Sequence, residues 1–156
     1  MTTIAWDGKT LAADSRSTLN NEIMQVSSPK IFHIPGVGVV SGAGGVDDIE
    51  LFMDWIAAGQ DPENKPTLSR EADNAFQGIF WDENSGELYT YFGTLVACPE
   101  LPPRTWGTGG PFASVALSLG QTAREAVKTA CKFDIYSGGK VQFVTLATKR
   151  KTRRRK

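Results

Sequence analysis

Histidine and cysteine are scarce in this chain, with His33 as the single histidine and Cys98 and Cys131 as the two cysteines. Neither cysteine stands at metal-ligand spacing, which argues against a zinc site, and the glycine-rich stretches lack the lysine of a phosphate-binding loop. No serine and acid are spaced around His33 to make a triad, so chemistry based on that imidazole is disfavoured. Apolar runs that approach about 20 residues are missing, as is a secretory apolar segment near the start. The expectation is a soluble, cytoplasmic protein without a membrane partner, metal or cofactor, its cysteines reduced and buried. Internal repeats are absent, and so is low-complexity sequence outside residues 149–156.

What is present suits one core. With 156 residues, 40% of them hydrophobic and 10% aromatic, residues 1–148 read as a single domain. The formal net charge of zero conceals an asymmetry: seven of the seventeen basic residues lie in "KRKTRRRK" at 149–156, leaving ten against seventeen acids over residues 1–148, a net of −7. A segment so charged and poor in apolar residues is expected to be disordered alone. Three readings of this tail stand: a solvated end, contact with nucleic acid or another acidic surface, or contact with a neighbouring subunit.

Local signals divide the rest into hairpins and helices. "TTIAW" and "TLAAD" flank Asp7-Gly8, a strong hairpin turn signal. The register read here takes Asp7-Gly8-Lys9 as a three-residue loop, so that Trp6 faces Thr10 and Thr2 stands opposite Asp14; a two-residue loop would slip every pair by one. "KIFHI" and "GVGVVSGAG" form a second hairpin around Pro35-Gly36. A helix follows over 46–58, with Ile49, Phe52, Met53, Ile56 and Ala57 at helical spacing, Asp47 and Asp48 at its positive end and Gly59 beyond it. Trp55 on this helix is a candidate for stacking between subunits if it faces outward.

The stretch "GQDPENKP" reads as a solvent loop, and "AFQGIFW" and "ELYTYF" as a third hairpin around "DENSG". After "TWGTGG" comes a helix with Phe112, Val115, Ala116 and Leu119 on one face, stopped by Gly120. Thr122 and Glu125 make a capping-box pattern for another helix with Ala126, Val127, Ala130 and Cys131 inward. "KVQFVTLA" closes the chain as a strand. Runs of strands and runs of helices indicate an α+β layered fold.

In order, "TTIAWDGKTLAADSR", "SPKIFHI", "SGAGGVDD", "GTGG" before a helix and "DIYSGG" before the last strand resemble the proteasome β-subunit family of N-terminal-nucleophile hydrolases. The likeness is greatest to HslV-type peptidases and to shorter proteasome-like proteins of bacteria and their phages. It spans residues 2–147. The resemblance implies a four-layer αββα sandwich, with Thr2 as nucleophile once Met1 is removed. It further implies Asp14 and Lys30 beside it, the Gly44 N–H as oxyanion donor, and Thr108, Asp134 and Ser137 around the threonine amine. "GTGG" departs from the family's "GSGS" by Thr108 for the first serine and Gly110 for the last. The sequence is also shorter than a usual β subunit, and is expected to lack part of the helical pair after Gly44 and to have no propeptide.

These residue types suit that chemistry. A threonine hydroxyl needs a base, and an N-terminal threonine carries one in its own α-amine, which titrates at about 7.7–8.0 when unperturbed. A lysine alongside favours the neutral amine, while an aspartate compensates the buried lysine. Whether the α-amine or Lys30 takes the proton is left open by the residues. Gly44 and Gly45 precede a helix whose first N–H groups suit an oxyanion, though a glycine pair also simply eases a turn. The expectation is a cofactor-free threonine peptidase acting through an acyl-enzyme on polypeptides, in a ring or related homo-oligomer, with an unfolding ATPase as possible partner. The alternatives are a noncatalytic scaffold or nucleic-acid-associated assembly protein and, further off, a small-molecule amidase.

Overall fold

The computed structural model describes residues 1–69 and 75–147. The basic segment 149–156 lies outside the described residues. Among the described residues eleven strands run in chain order: β1 Thr3–Trp6, β2 Thr10–Ala13, β3 Ser17–Leu19, β4 Glu22–Gln25, β5 Ile31–Ile34, β6 Gly38–Ala43, β7 Gln77–Asp82, β8 Glu87–Tyr91, β9 Ala97–Pro99, β10 Arg104–Gly107 and β11 Gln142–Thr145. The α-helices described are α1 Val46–Ala57, α2 Gly110–Ser118 and α3 Ala123–Phe133. One sheet has the order β10-β1-β2-β11 and another β5-β6-β7-β8-β9, while β3 and β4 form a separate hairpin.

The two large sheets face each other across Ile4, Trp6, Leu11, Trp106, Val39, Ile79, Trp81 and Leu88, all buried. On the outer side of the first sheet, Ala5 and Ala12 meet Ala113, Ala116, Ala123, Ala126 and Ala130 of α2 and α3. Such small side chains let two helices lie close to the strands. On the outer side of the second sheet, Val40 and Phe80 pack with Phe52, Trp55 and Ile56 of α1. The four-layer αββα sandwich is therefore present. The close approach of α1 needs Gly78, where a Cβ would meet the Phe52 ring at 2.7 Å.

The expected hairpins and helices form, with several differences. The first is the β1–β2 register, in which Ile4 faces Ala13 and Trp6 faces Leu11. The loop is the two-residue one, Gly8-Lys9, closed by the Asp7 N–H donating to the Thr10 carbonyl. Gly8 has φ 96°, which suits the first central position of a tight hairpin turn. Asp7 Oδ1 accepts from the N–H groups of Lys9 and Thr10, while Oδ2 accepts from Ala123 at the start of α3. The Asp7 carboxylate thus fixes the shorter loop and ties it to a helix across the chain. As a result Thr3, not Thr2, stands opposite Asp14.

Trp55 is buried, its Nε1–H donating to the Asp61 carbonyl, so it offers nothing to a neighbouring subunit. On α2 only Ala116 of the expected face is buried; Phe112, Val115 and Leu119 are exposed, and Ala113 and Leu117 point inward instead. On α3, Ala126, Val127 and Ala130 are inward as expected, and the Thr122–Glu125 capping box closes in both directions. The solvent loop after α1 contains a short 3-10 turn, Pro62–Asn64. Strands β3, β4, β9 and β10 lie beyond the expected set. For β3–β4 the signal was Asn20-Asn21, whose φ values of 49° and 66° make a left-handed turn that asparagine tolerates. Among the described residues, no helix is long and apolar enough to cross a membrane.

Candidate active site

The site is built where β1, β2 and β5 come together. Lys30, just before β5, is buried and its ammonium donates to Asp14 Oδ1 at 2.8 Å, to the Arg16 carbonyl at 2.6 Å and to the Met1 carbonyl at 3.1 Å. Asp14 is fully buried, and the other donors to its carboxylate are all backbone N–H groups. Thr3 donates to Oδ1 at 2.9 Å, Gly138 to Oδ2 at 3.0 Å and Arg16 to Oδ2 at 3.3 Å. A carboxylate held in this way is fixed in direction before the lysine reaches it. Burial pushes the Lys30 ammonium below the ordinary lysine range, against the opposing pull of Asp14. Burial, and next the Lys30 charge, likewise lower the Met1 amine.

Thr2, Lys30, Gly44 and Gly45 line one cavity of about 280 Å³ together with Met1, Phe32, Ile49 and Met53. Gly44 has φ 125°, and a Cβ there would lie 3.1 Å from Phe76 Cα and 3.2 Å from the Ala75 carbonyl. Both the conformation and the space therefore call for glycine. Gly45 caps α1 at the cavity wall, where helix N–H groups favour negative charge.

Thr108, Asp134 and Ser137 form a second cluster behind β1. The hydroxyls of Thr108 and Ser137 both donate to Asp134 Oδ2, at 2.7 and 2.5 Å, and Thr108 Oγ1 lies 3.5 Å from the Thr2 carbonyl. Because Ser137 gives its proton to Asp134, the 2.6 Å contact between Thr3 Oγ1 and Ser137 Oγ has Thr3 as donor. Thr3 was not singled out in the sequence; the register of the first hairpin was the signal that would have found it. Gly109 makes room for this chain, since a Cβ there would sit 1.8 Å from Thr3 Oγ1 and 3.1 Å from Asp134 Oδ2, whereas at Gly110 the nearest atom is 3.5 Å away. Gly109→Ala is expected to cost about 1–3 kcal/mol by overpacking, and Gly110→Ala to be tolerated; thermal unfolding of both variants checks this.

Other candidates stand apart. His33 is exposed, with Nε2 3.6 Å from Glu83, and does not line the cavity. Cys98 and Cys131 carry free thiols and are half-buried rather than buried. Burial, with Asp14 next, pushes the Cys131 thiol up to about 11, so it is protonated at neutral pH and a poor nucleophile.

Proteasome subunit beta 2 of Thermococcus gammatolerans is 26% identical over an alignment of 175 positions covering 92% of this chain and 86% of that protein. The chain resembles a proteasome β subunit. No protein-family model matches it. Among solved structures, Thiobacillus denitrificans BPH superposes with a TM-score of 0.69 at 16% identity, covering 94% of this chain and 98% of the other. The same values hold for Thiobacillus denitrificans BPH in complex with epoxomicin. The chain shares the four-layer αββα fold of that structure.

Proposed function

We propose that this chain is a threonine-type amide hydrolase, a peptidase whose nucleophile is Thr2 after removal of Met1. The observation that carries the reading is the Lys30 ammonium, buried and pinned by Asp14 on one side, with its remaining bonds directed to the Arg16 carbonyl and to the peptide that joins Met1 to Thr2. Likeness to a proteasome β subunit supports it. In this mechanism the Thr2 hydroxyl attacks the substrate carbonyl and gives its proton to the α-amine freed by Met1 removal, with Lys30 holding the charge balance. The Gly44 N–H receives the developing oxyanion. Collapse expels the amine product, which takes the proton, and water then cleaves the ester on Thr2. Asp14 orients Lys30, and Thr108, Asp134 and Ser137 hold the strand end that carries the amine.

Phe32, Val46, Ile49 and Met53 make the cavity wall largely apolar, and Glu50 adds a carboxylate. This supports cleavage after apolar residues and against acidic ones. Fluorogenic peptides with Leu at the cleaved position should be turned over at least about tenfold faster than those with Asp. Assembly from identical subunits belongs to the same reading, supported by the exposed Phe112, Val115, Leu119, Phe133 and Ile135.

The experiment is intact-mass measurement of the protein before and after epoxomicin, followed by peptide mapping. Loss of one methionine and a single adduct on Thr2 is the expected result. Retained Met1 with no adduct in any assembly state would overturn the hydrolase reading in favour of a noncatalytic scaffold.

A further inference from the structure

Gln142 was read from sequence only as part of the closing strand. Its side chain lies between the two sheets, and each of its hydrogen-bonding atoms is used twice. Oε1 accepts from the backbone N–H groups of Lys30 at 2.8 Å and Ile31 at 3.2 Å. Nε2 donates to the carbonyls of Ser28 at 2.9 Å and Asp14 at 3.1 Å. Only this orientation of the amide matches two N–H groups and two carbonyls, because the reverse would set like groups against one another. Gln142 sits opposite Ala13 on β11, next to Asp14, so one side chain ties the backbone that carries the carboxylate to the backbone that carries the lysine. On the other side of Lys30, Ser41 Oγ donates to its carbonyl at 2.7 Å. The main chain of Lys30 is thereby clamped at both its N–H and its C=O.

We propose that Gln142 is a positioning residue for Lys30, setting the distance between its ammonium and Thr2. The proposal rests on the threonine-hydrolase reading for its effect on turnover, but not for its effect on Lys30 itself. No other side chain of the first large sheet donates to or accepts from the Lys30 backbone among the contacts described. A displacement of about 1 Å at a reacting group is enough to cost about 100-fold in rate.

The test uses Gln142→Met, which keeps length and removes all four bonds, and Gln142→Glu. The latter keeps the acceptor toward Lys30 and Ile31 but sets an oxygen against the Asp14 and Ser28 carbonyls, and so retains shape should the methionine variant fail to fold. Two quantities are read in the full-length protein: kcat and KM on an apolar fluorogenic peptide, and the titration midpoint of Lys30 by side-chain NMR. Charged or titratable groups around that ammonium are Asp14, Asp134, Cys131 and the terminal amine, and Gln142→Met alters none of them; Gln142→Glu adds a carboxylate that by itself raises the Lys30 midpoint, so the midpoint is read in the methionine variant and kcat in both.

The expected result is a fall in kcat of about 10- to 100-fold with KM within about twofold, and a Lys30 midpoint moved up toward that of a solvated lysine. A purely structural role would lower the melting temperature while leaving kcat and the midpoint where they were, and that outcome overturns the proposal. Should the wild-type protein prove inactive while the midpoint still moves, the positioning role stands and the hydrolase reading falls.

Discussion

Lys30→Met is expected to lower peptide hydrolysis by about 10²- to 10⁴-fold while leaving the chain folded. The methionine fills the same volume, but the ammonium that reaches Asp14, the Arg16 carbonyl and the Met1 carbonyl is gone. In the proposed mechanism, proton transfer from the Thr2 hydroxyl then lacks the positive charge that would keep the neighbouring amine neutral. The structural penalty is smaller than a broken buried ion pair ordinarily brings, because Asp14 keeps the N–H groups of Thr3, Gly138 and Arg16. A cost of about 1.5–3 kcal/mol, that of one charged hydrogen bond, is expected. Thr2→Ala should go further on activity and abolish both turnover and epoxomicin adduct with little change in stability. Steady-state rates beside melting curves of both variants check the pair; a Lys30→Met enzyme with near wild-type kcat would remove Lys30 from the mechanism.

The reverse deletion is expected to be the more damaging to the fold. Asp14→Ala strands a buried ammonium with only two carbonyl partners and orphans the N–H groups of Thr3 and Gly138. Loss of one partner from a buried ion pair costs about 3–5 kcal/mol. The lysine has an escape, since it can fold unprotonated. From an unfolded value of about 10.4, shedding the proton at pH 7 costs about 4.6 kcal/mol, which caps the ammonium's share of the penalty.

That escape gives the prediction a pH signature. Lys30 is already lowered by burial in the folded protein, and removal of Asp14 lowers it further. Between its folded and unfolded values the unfolded chain binds the extra proton, so stability rises with pH across that window. The deficit of Asp14→Ala relative to wild type should therefore narrow between pH 7 and pH 9.5 in urea unfolding. A deficit that stays constant over that range would show that the lost N–H contacts, and not the stranded charge, dominate.

Much of the candidate site is legible in the sequence because its parts are local. "AADSR", "SPK", "AGG", "GTGG" and "DIYSGG" each announce a turn or an element end, and it is the resemblance their order bears to proteasome β subunits that implies Thr2, Asp14, Lys30, Gly44, Thr108, Asp134 and Ser137 as site residues. Helix capping at α3 is equally local, since the Thr122–Glu125 box acts within one turn of itself. The tertiary structure decided what depends on groups distant in the chain. Asp7 closes the tighter loop while also capping α3 at Ala123, and that long-range demand slipped the first hairpin by one residue and put Thr3 opposite Asp14. Which face of α2 turns inward followed from the alanine-lined layer it meets, and the burial of Trp55 from the aromatic packing around Tyr91. Gln142 looks in sequence like any polar residue on a closing strand; only the packing of one sheet on the other brings its amide to Asp14 and Lys30. Short-range periodicity and turn chemistry are written in neighbouring residues, whereas register, facing and cross-sheet contacts are set by the layers as they close on one another.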